Sequence, residues 1–153
     1  MAETANSTLR ISSARPQITR TIMERTGLDQ DVLTDLVHSF YGRIRSDPVL
    51  GPIFDSRISD WPPHLERMVS FWSSVALMTG QYHGAPVPKH ANLPITWAHF
   101  ERWLDLFRDT AHEVCTPQGA AHVIERAERI ARSLNMAVED TARRDDNAIP
   151  SLR

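Results

Sequence analysis

Ala85-Pro86-Val87-Pro88-Lys89-His90-Ala91-Asn92-Leu93-Pro94 places one histidine among three prolines within ten residues. Proline fixes φ and removes a backbone donor, so no long helix can run through this stretch. Between Pro88 and Pro94 there is room for about one helical turn at most. The two strongest amphipathic patterns of the chain lie on either side, at 63–79 and 97–114. Both aim aromatic residues at whatever lies between them. A histidine on a short rigid segment, facing an aromatic slot, suits the holding of a flat metal cofactor from one side. The bland alternative is a loop histidine without a role, and the rest of the chain has to decide between the two.

At 153 residues the chain is most naturally one domain with a real core. A net charge of −2 with 24% charged residues offers no broad basic surface for nucleic acid or anionic lipid. No run of about 18 apolar residues exists, so no membrane span is expected. Met1 to Pro16 is rich in Ala, Ser and Thr and lacks the apolar centre of a secretion signal. Cys115 is the only cysteine, which excludes an internal disulfide and any cysteine-clustered zinc or iron–sulfur site. A reducing cytoplasmic setting is the expectation.

Residues 1–17 read as a flexible N-terminal extension, 18–140 as the folded domain and 141–153 as a disordered tail. Ile18 to Arg25 predicts a short helix closed by Gly27 in the left-handed conformation. Asp29 or Asp31 caps the next helix, whose stripe is Leu33, Leu36, Val37, Phe40, Tyr41 and Ile44, ended by Asp47-Pro48. Val49-Leu50-Gly51-Pro52-Ile53-Phe54 reads as an apolar loop, on which Phe54 is either docked into a pocket or exposed, docking being the expectation. Asp60-Trp61-Pro62-Pro63 opens a helix with Leu65, Met68, Val69, Trp72, Val75 and Ala76 inward. His64 and Met68 share a face of it, as do Met68 and Phe71-Trp72. Thr96 caps a helix bearing Phe100, Trp103, Leu104 and Phe107. Thr116-Pro117 starts the last one, with Val123, Ile124, Ala127, Ile130, Ala131 and Leu134. Nothing alternates with period two, so the fold class is all-α.

Of the seven histidines, His38, His83, His99, His112 and His122 match no sharp metal spacing and read as residues of solvated faces. His64 and His90 lie where the aromatic slot should be. Tyr41 adjoins Phe40 on a core face, and a buried phenol needs a partner for its hydroxyl. Trp103 adds an indole N–H, a donor that cannot accept. Core packing explains each aromatic separately. Together with one proline-flanked histidine they fit a bound diatomic ligand better.

Phe40-Tyr41, then Leu50-Gly51-Pro52-Ile53-Phe54, His64, Phe71-Trp72, Lys89-His90 with Leu93-Pro94, and Trp103-Leu104 with Leu106-Phe107 follow one another in order. This ordered set resembles the group III truncated haemoglobins over about residues 28–138. The resemblance implies a truncated globin fold, a two-over-two helical sandwich with almost no helix at the proximal histidine. It implies haem b (iron protoporphyrin IX) with His90 as iron ligand, and Tyr41, Trp103 and His64 on the distal side, His64 as a gate. Phe54 would clamp the haem, with Phe40, Met68, Phe71, Trp72 and Phe100 lining its pocket. Ligands would be O2, NO, CO or small anions, with an unidentified reductase as electron source. Two donors to a ligand that gains negative charge imply slow release. That suits nitric oxide dioxygenase-like or peroxidase-like chemistry better than transport. The rival readings are a bis-histidine electron-transfer protein using His64 and His90, and a haem-free helical interaction domain.

Overall fold

The apolar stripes become six α-helices, with no strand among the described residues, which in this computed structural model are 11–82, 84 and 93–151, with side chains up to 145. In chain order the helices are α1 Pro16–Thr26, α2 Gln30–Ser46, α3 Leu50–Asp55, α4 Trp61–Leu77, α5 Trp97–Val114 and α6 Pro117–Ser151. Local chemistry sets their ends. Gly27 closes α1 at φ 72°, donating its N–H to the Met23 carbonyl. Only glycine enters that left-handed region without penalty. Asp29, rather than Asp31, caps α2 by accepting from the Val32 N–H at 2.8 Å. Thr116 accepts from the Gly119 N–H at 3.0 Å and opens α6 ahead of Pro117.

α2 packs on α4 and α5 on α6, and the two pairs are layered through α2 against α5 and α4 against α6. This is the expected two-over-two sandwich, with α1 bridging α4 and α6. Leu33, Leu36, Val37, Phe40, Tyr41 and Ile44 all turn inward from α2 and are buried, as their spacing requires. At the centre, Phe107 lies between two indoles, stacked on Trp72 at 4.9 Å and 24° and on Trp103 at 5.6 Å and 15°. Phe40 meets Phe107 edge-on at 5.2 Å and 80°. Each such pair adds about 0.5–1.5 kcal/mol beyond area burial. The cluster thus forms a stiff floor on which the α5 aromatics stand.

The structure departs from the sequence expectations at three places. The supposed loop at 49–54 is the helix α3. Asp47 accepts from the Val49 and Leu50 N–H groups at 3.1 and 2.8 Å. Pro52 sits in the first turn, where no intrahelical N–H bond is lost. Gly51 is needed because a Cβ there would lie 2.7 Å from the Arg45 carbonyl oxygen.

Part of the N-terminal extension packs against the folded domain. Ile11 is buried, the Ala14 N–H donates to the Thr79 carbonyl at 2.9 Å, and α1 starts at Pro16. Residues 1–10 lie outside the described residues.

Finally, α6 carries the backbone of 141–151 as helix where disorder was expected. Among the described residues the last buried apolar one is Val138. Beyond it a helix that is already nucleated propagates at little cost through Ala142, Arg143 and Arg144.

Candidate functional site

A cavity of about 360 Å³ opens between α2, α3, α4, α5 and α6. Tyr41, Phe54, His64, Met68, Phe71, Trp72, Phe100 and Trp103, eight of the ten residues expected at the site, line it. Phe40 stands one layer back, edge-on to Tyr41 at 5.2 Å and to Trp103 at 5.3 Å. It supports the wall rather than forming it. His90 lies outside the described residues. On either side of it Tyr82 and Leu93 both line the cavity.

Each wall residue is delivered by a local device. The inward turn of α2 that buries Phe40 also turns Tyr41 toward the cavity. The Asp47 cap and Gly51 set α3 so that Phe54 reaches Tyr41, ring centroids 6.0 Å apart. His64, in the first turns of α4, is edge-on to Tyr41 at 5.5 Å and 89° and to Trp61 at 5.7 Å and 88°. Behind these two rings, Trp61 carries the Arg45 guanidinium 4.5 Å above its own face. Met68 follows one turn further along α4, and Phe71-Trp72 two turns further.

The electrostatics favour donors. Tyr41 is 6% exposed, and burial pushes its phenol well above the ordinary range, so the hydroxyl stays protonated. The indole of Trp103 can only donate. His99 accepts the Thr96 N–H at Nδ1 over 2.9 Å, which leaves Nε2 to carry the ring proton of the neutral form. Arg57 and Arg67 are exposed cations of the lining and stand at the cavity mouth.

Arg57, Arg67, Tyr82 and His99 were missed by the sequence reading, as were Leu50, Ile53, Ile58, Leu93 and Ile95. Arg67 was within reach, three residues after His64 on the same helix face. Ile130, Ala131 and Leu134 were read only as the stripe of α6, whose far part closes one side of the cavity. Among the histidines assigned to solvated faces, His38 and His112 are exposed and His83 lies outside the described residues. His99 and His122 are half-buried and engaged, His122 with Nε2 2.7 Å from the Ala76 carbonyl oxygen. Nothing in helical periodicity separates such a histidine from an exposed one.

The family model of the bacterial-like globins matches residues 21–135. The group 3 truncated haemoglobin ctb of Campylobacter jejuni is 33% identical over 109 residues, covering 68% of this chain and 86% of that protein. The group 2 truncated haemoglobin YjbI of Bacillus subtilis is 27% identical over 89 residues, 57% of this chain and 67% of its own length. In structure, the chain is similar to the crystal structure of the group III truncated haemoglobin from Campylobacter jejuni. The TM-score is 0.68 at 33% identity, covering 72% of this chain and 91% of that one.

A helical sandwich around an aromatic slot with converging donors is the architecture of a shortened globin. The chain belongs to the bacterial-like globin family, on its group III truncated haemoglobin branch. Membership implies a haem cofactor and ligand binding at its iron, which sets aside the haem-free interaction domain.

Proposed function

We propose that the cavity would hold haem b, with His90 as the residue that ligates its iron, and that O2, NO or CO would bind on the side of Tyr41 and Trp103. The observation that carries this reading is convergence. Tyr41, His64 and Trp103, from three different helices, line one largely apolar cavity with Arg57 and Arg67 at its mouth. These residues fit iron protoporphyrin IX, a flat apolar ring with carboxylates along one edge. Phe54, Met68, Phe71, Trp72 and Phe100 offer apolar surface to the ring, and the two arginines offer partners to the carboxylates.

His90 precedes the wall residue Leu93 by three positions, a chain length that spans roughly 11 Å at most. A neutral imidazole there ligates through Nε2 while Nδ1–H goes to an acceptor. Bound in the cavity, the haem supplies the iron at which a diatomic ligand is held. Tyr41 and Trp103 then donate to that ligand. Each bond to a charged acceptor is worth about 1.5–3 kcal/mol, which slows release roughly ten- to a hundredfold.

Two such donors make a poor carrier and suit turnover of the ligand, nitric oxide dioxygenase-like or peroxidase-like, with electrons from a reductase. His64, held edge-on between Tyr41 and Trp61, modulates ligand entry. The test is O2 release from the ferrous protein by stopped flow. Tyr41→Phe accelerates release by roughly ten- to a hundredfold. An unchanged rate removes Tyr41 as a donor and returns it to the core.

A further inference from the structure

Residues 11–19 precede the segment matched by the globin family, yet they hold the end of α4. Met78 at φ 58° and Gly80 at φ 72° reverse the chain there through two left-handed residues. A helix C-terminus leaves carbonyl groups without partners inside the helix. At this one, other elements supply the donors. Thr19 Oγ1 donates to the Leu77 carbonyl at 2.7 Å, and the Ala14 N–H donates to the Thr79 carbonyl at 2.9 Å.

The hydroxyls form a directed chain. The Arg15 N–H donates to Ser13 Oγ at 2.9 Å, and Ser13 Oγ lies 2.7 Å from Thr19 Oγ1. Because Thr19 donates onward to Leu77, Ser13 donates to Thr19. On the other side of the turn, Ser74 Oγ accepts the Tyr82 N–H at 2.8 Å and lies 3.4 Å from Thr79 Oγ1. Thr19 and Thr79 are both fully buried. Tyr82 lines the cavity, its ring edge-on to Phe71 at 5.2 Å and 80°.

We propose that Ser13, Ala14 and Thr19 latch the turn after α4 and so position Tyr82 as a wall of the cavity, which sets how long the haem is retained. The retention step rests on the haem reading above, whereas the latch stands on the hydrogen bonds alone. Removing the Thr19 hydroxyl leaves the buried Leu77 carbonyl without its donor and Ser13 without its acceptor. The turn can then leave its place, and Tyr82 moves with it.

The test uses the full chain with Thr19→Val, which keeps the shape and removes the hydroxyl, and Thr19→Ser, which restores it. Thr110→Val is the control. Thr110 is equally buried, but its hydroxyl bonds within its own helix, to the Leu106 carbonyl at 2.7 Å. Two quantities are read: hydrogen–deuterium exchange of the Tyr82 amide in the protein as purified, and the rate of haem transfer to an excess of a haem-free acceptor globin. In Thr19→Val both rise roughly tenfold, the size of one lost buried hydrogen bond. Thr19→Ser stays within about twofold of the parent, and Thr110→Val changes neither.

An unchanged Tyr82 exchange in Thr19→Val overturns the latch. Haem loss raised equally by Thr110→Val overturns its role in retention, because general destabilisation then suffices. If the parent protein takes up no haem, the haem reading fails while Tyr82 exchange still decides the latch. Should Thr19→Val not fold, Ser13→Ala breaks the same chain one link earlier, and the same two outcomes apply to it.

Discussion

Arg102 donates from Nε to both oxygens of the Asp47 carboxylate, at 2.9 and 2.7 Å, and so joins the start of α3 to the helix that carries Trp103. Asp47 itself does not line the cavity, but it ties together two of the helices that do. Its side chain is only 7% exposed, and it also caps α3 through the Val49 and Leu50 N–H groups. Phe54 and Trp103, which face the same cavity, are therefore held in register by one carboxylate.

The Arg102 bond, with help from the two backbone donors, holds the Asp47 carboxyl down at about 2, against an ordinary value of 3.8. The unfolded chain therefore takes up this proton more readily than the folded one. Asp47 stabilises the fold fully above its ordinary value, and the contribution fades as pH falls through about 2. At neutral pH, Asp47→Ala should cost about 1–2 kcal/mol, the worth of a cap. Urea unfolding of parent and variant from pH 7 downward checks this. The gap between them should close on the acid side, and a gap that stays constant contradicts the assignment.

His122 gives a second pH dependence nearer neutrality. Burial lowers its pKa from the ordinary 6.5, while the bond to the Ala76 carbonyl works in the opposite direction. The folded state therefore prefers the neutral ring. Its contribution is complete above 6.5 and is lost as pH falls through the folded value. His122→Gln keeps a donor toward Ala76 without a titrating group. Stability measured from pH 8 to pH 5 should fall less in this variant than in the parent. Parallel curves would show that His122 carries no such linkage.

Tyr41 and Trp103 both rest on the edge of Phe40, at 5.2 and 5.3 Å, so a shift of one ring is felt by the other. Their effects on O2 release should therefore not add. In a cycle of Tyr41→Phe, Trp103→Phe and the double variant, the coupling should reach at least about 0.5 kcal/mol. Strict additivity in stopped-flow release rates would mean two independent contacts and no shared network.

The helices that bury a stripe were readable from the sequence, because burial of Leu33, Phe40, Phe107 or Ala127 follows from helical period alone. The same local chemistry revealed the caps at Gly27 and Thr116. What escaped depends on partners far along the chain. α3 is secured in part by Arg102, fifty-five positions beyond Asp47. The order of residues 11–15 depends on the turn after α4, with Thr19 bonding a carbonyl fifty-eight positions away. His99 and Arg67 are polar residues on helix faces, and period cannot tell a cavity wall from solvent. Tyr41 and Trp103 were found because a polar tip on an aromatic stripe is itself a signal.

The role of His90 is tested most directly by the absorption spectrum of haem-reconstituted protein, ferric and ferrous, beside that of His90→Ala with and without imidazole. The parent should bind haem with a strong Soret band. His90→Ala should lose stable haem binding, or recover it only when imidazole takes the place of the missing side chain. A variant whose ferrous spectrum is unchanged without imidazole would show that His90 is not the iron ligand.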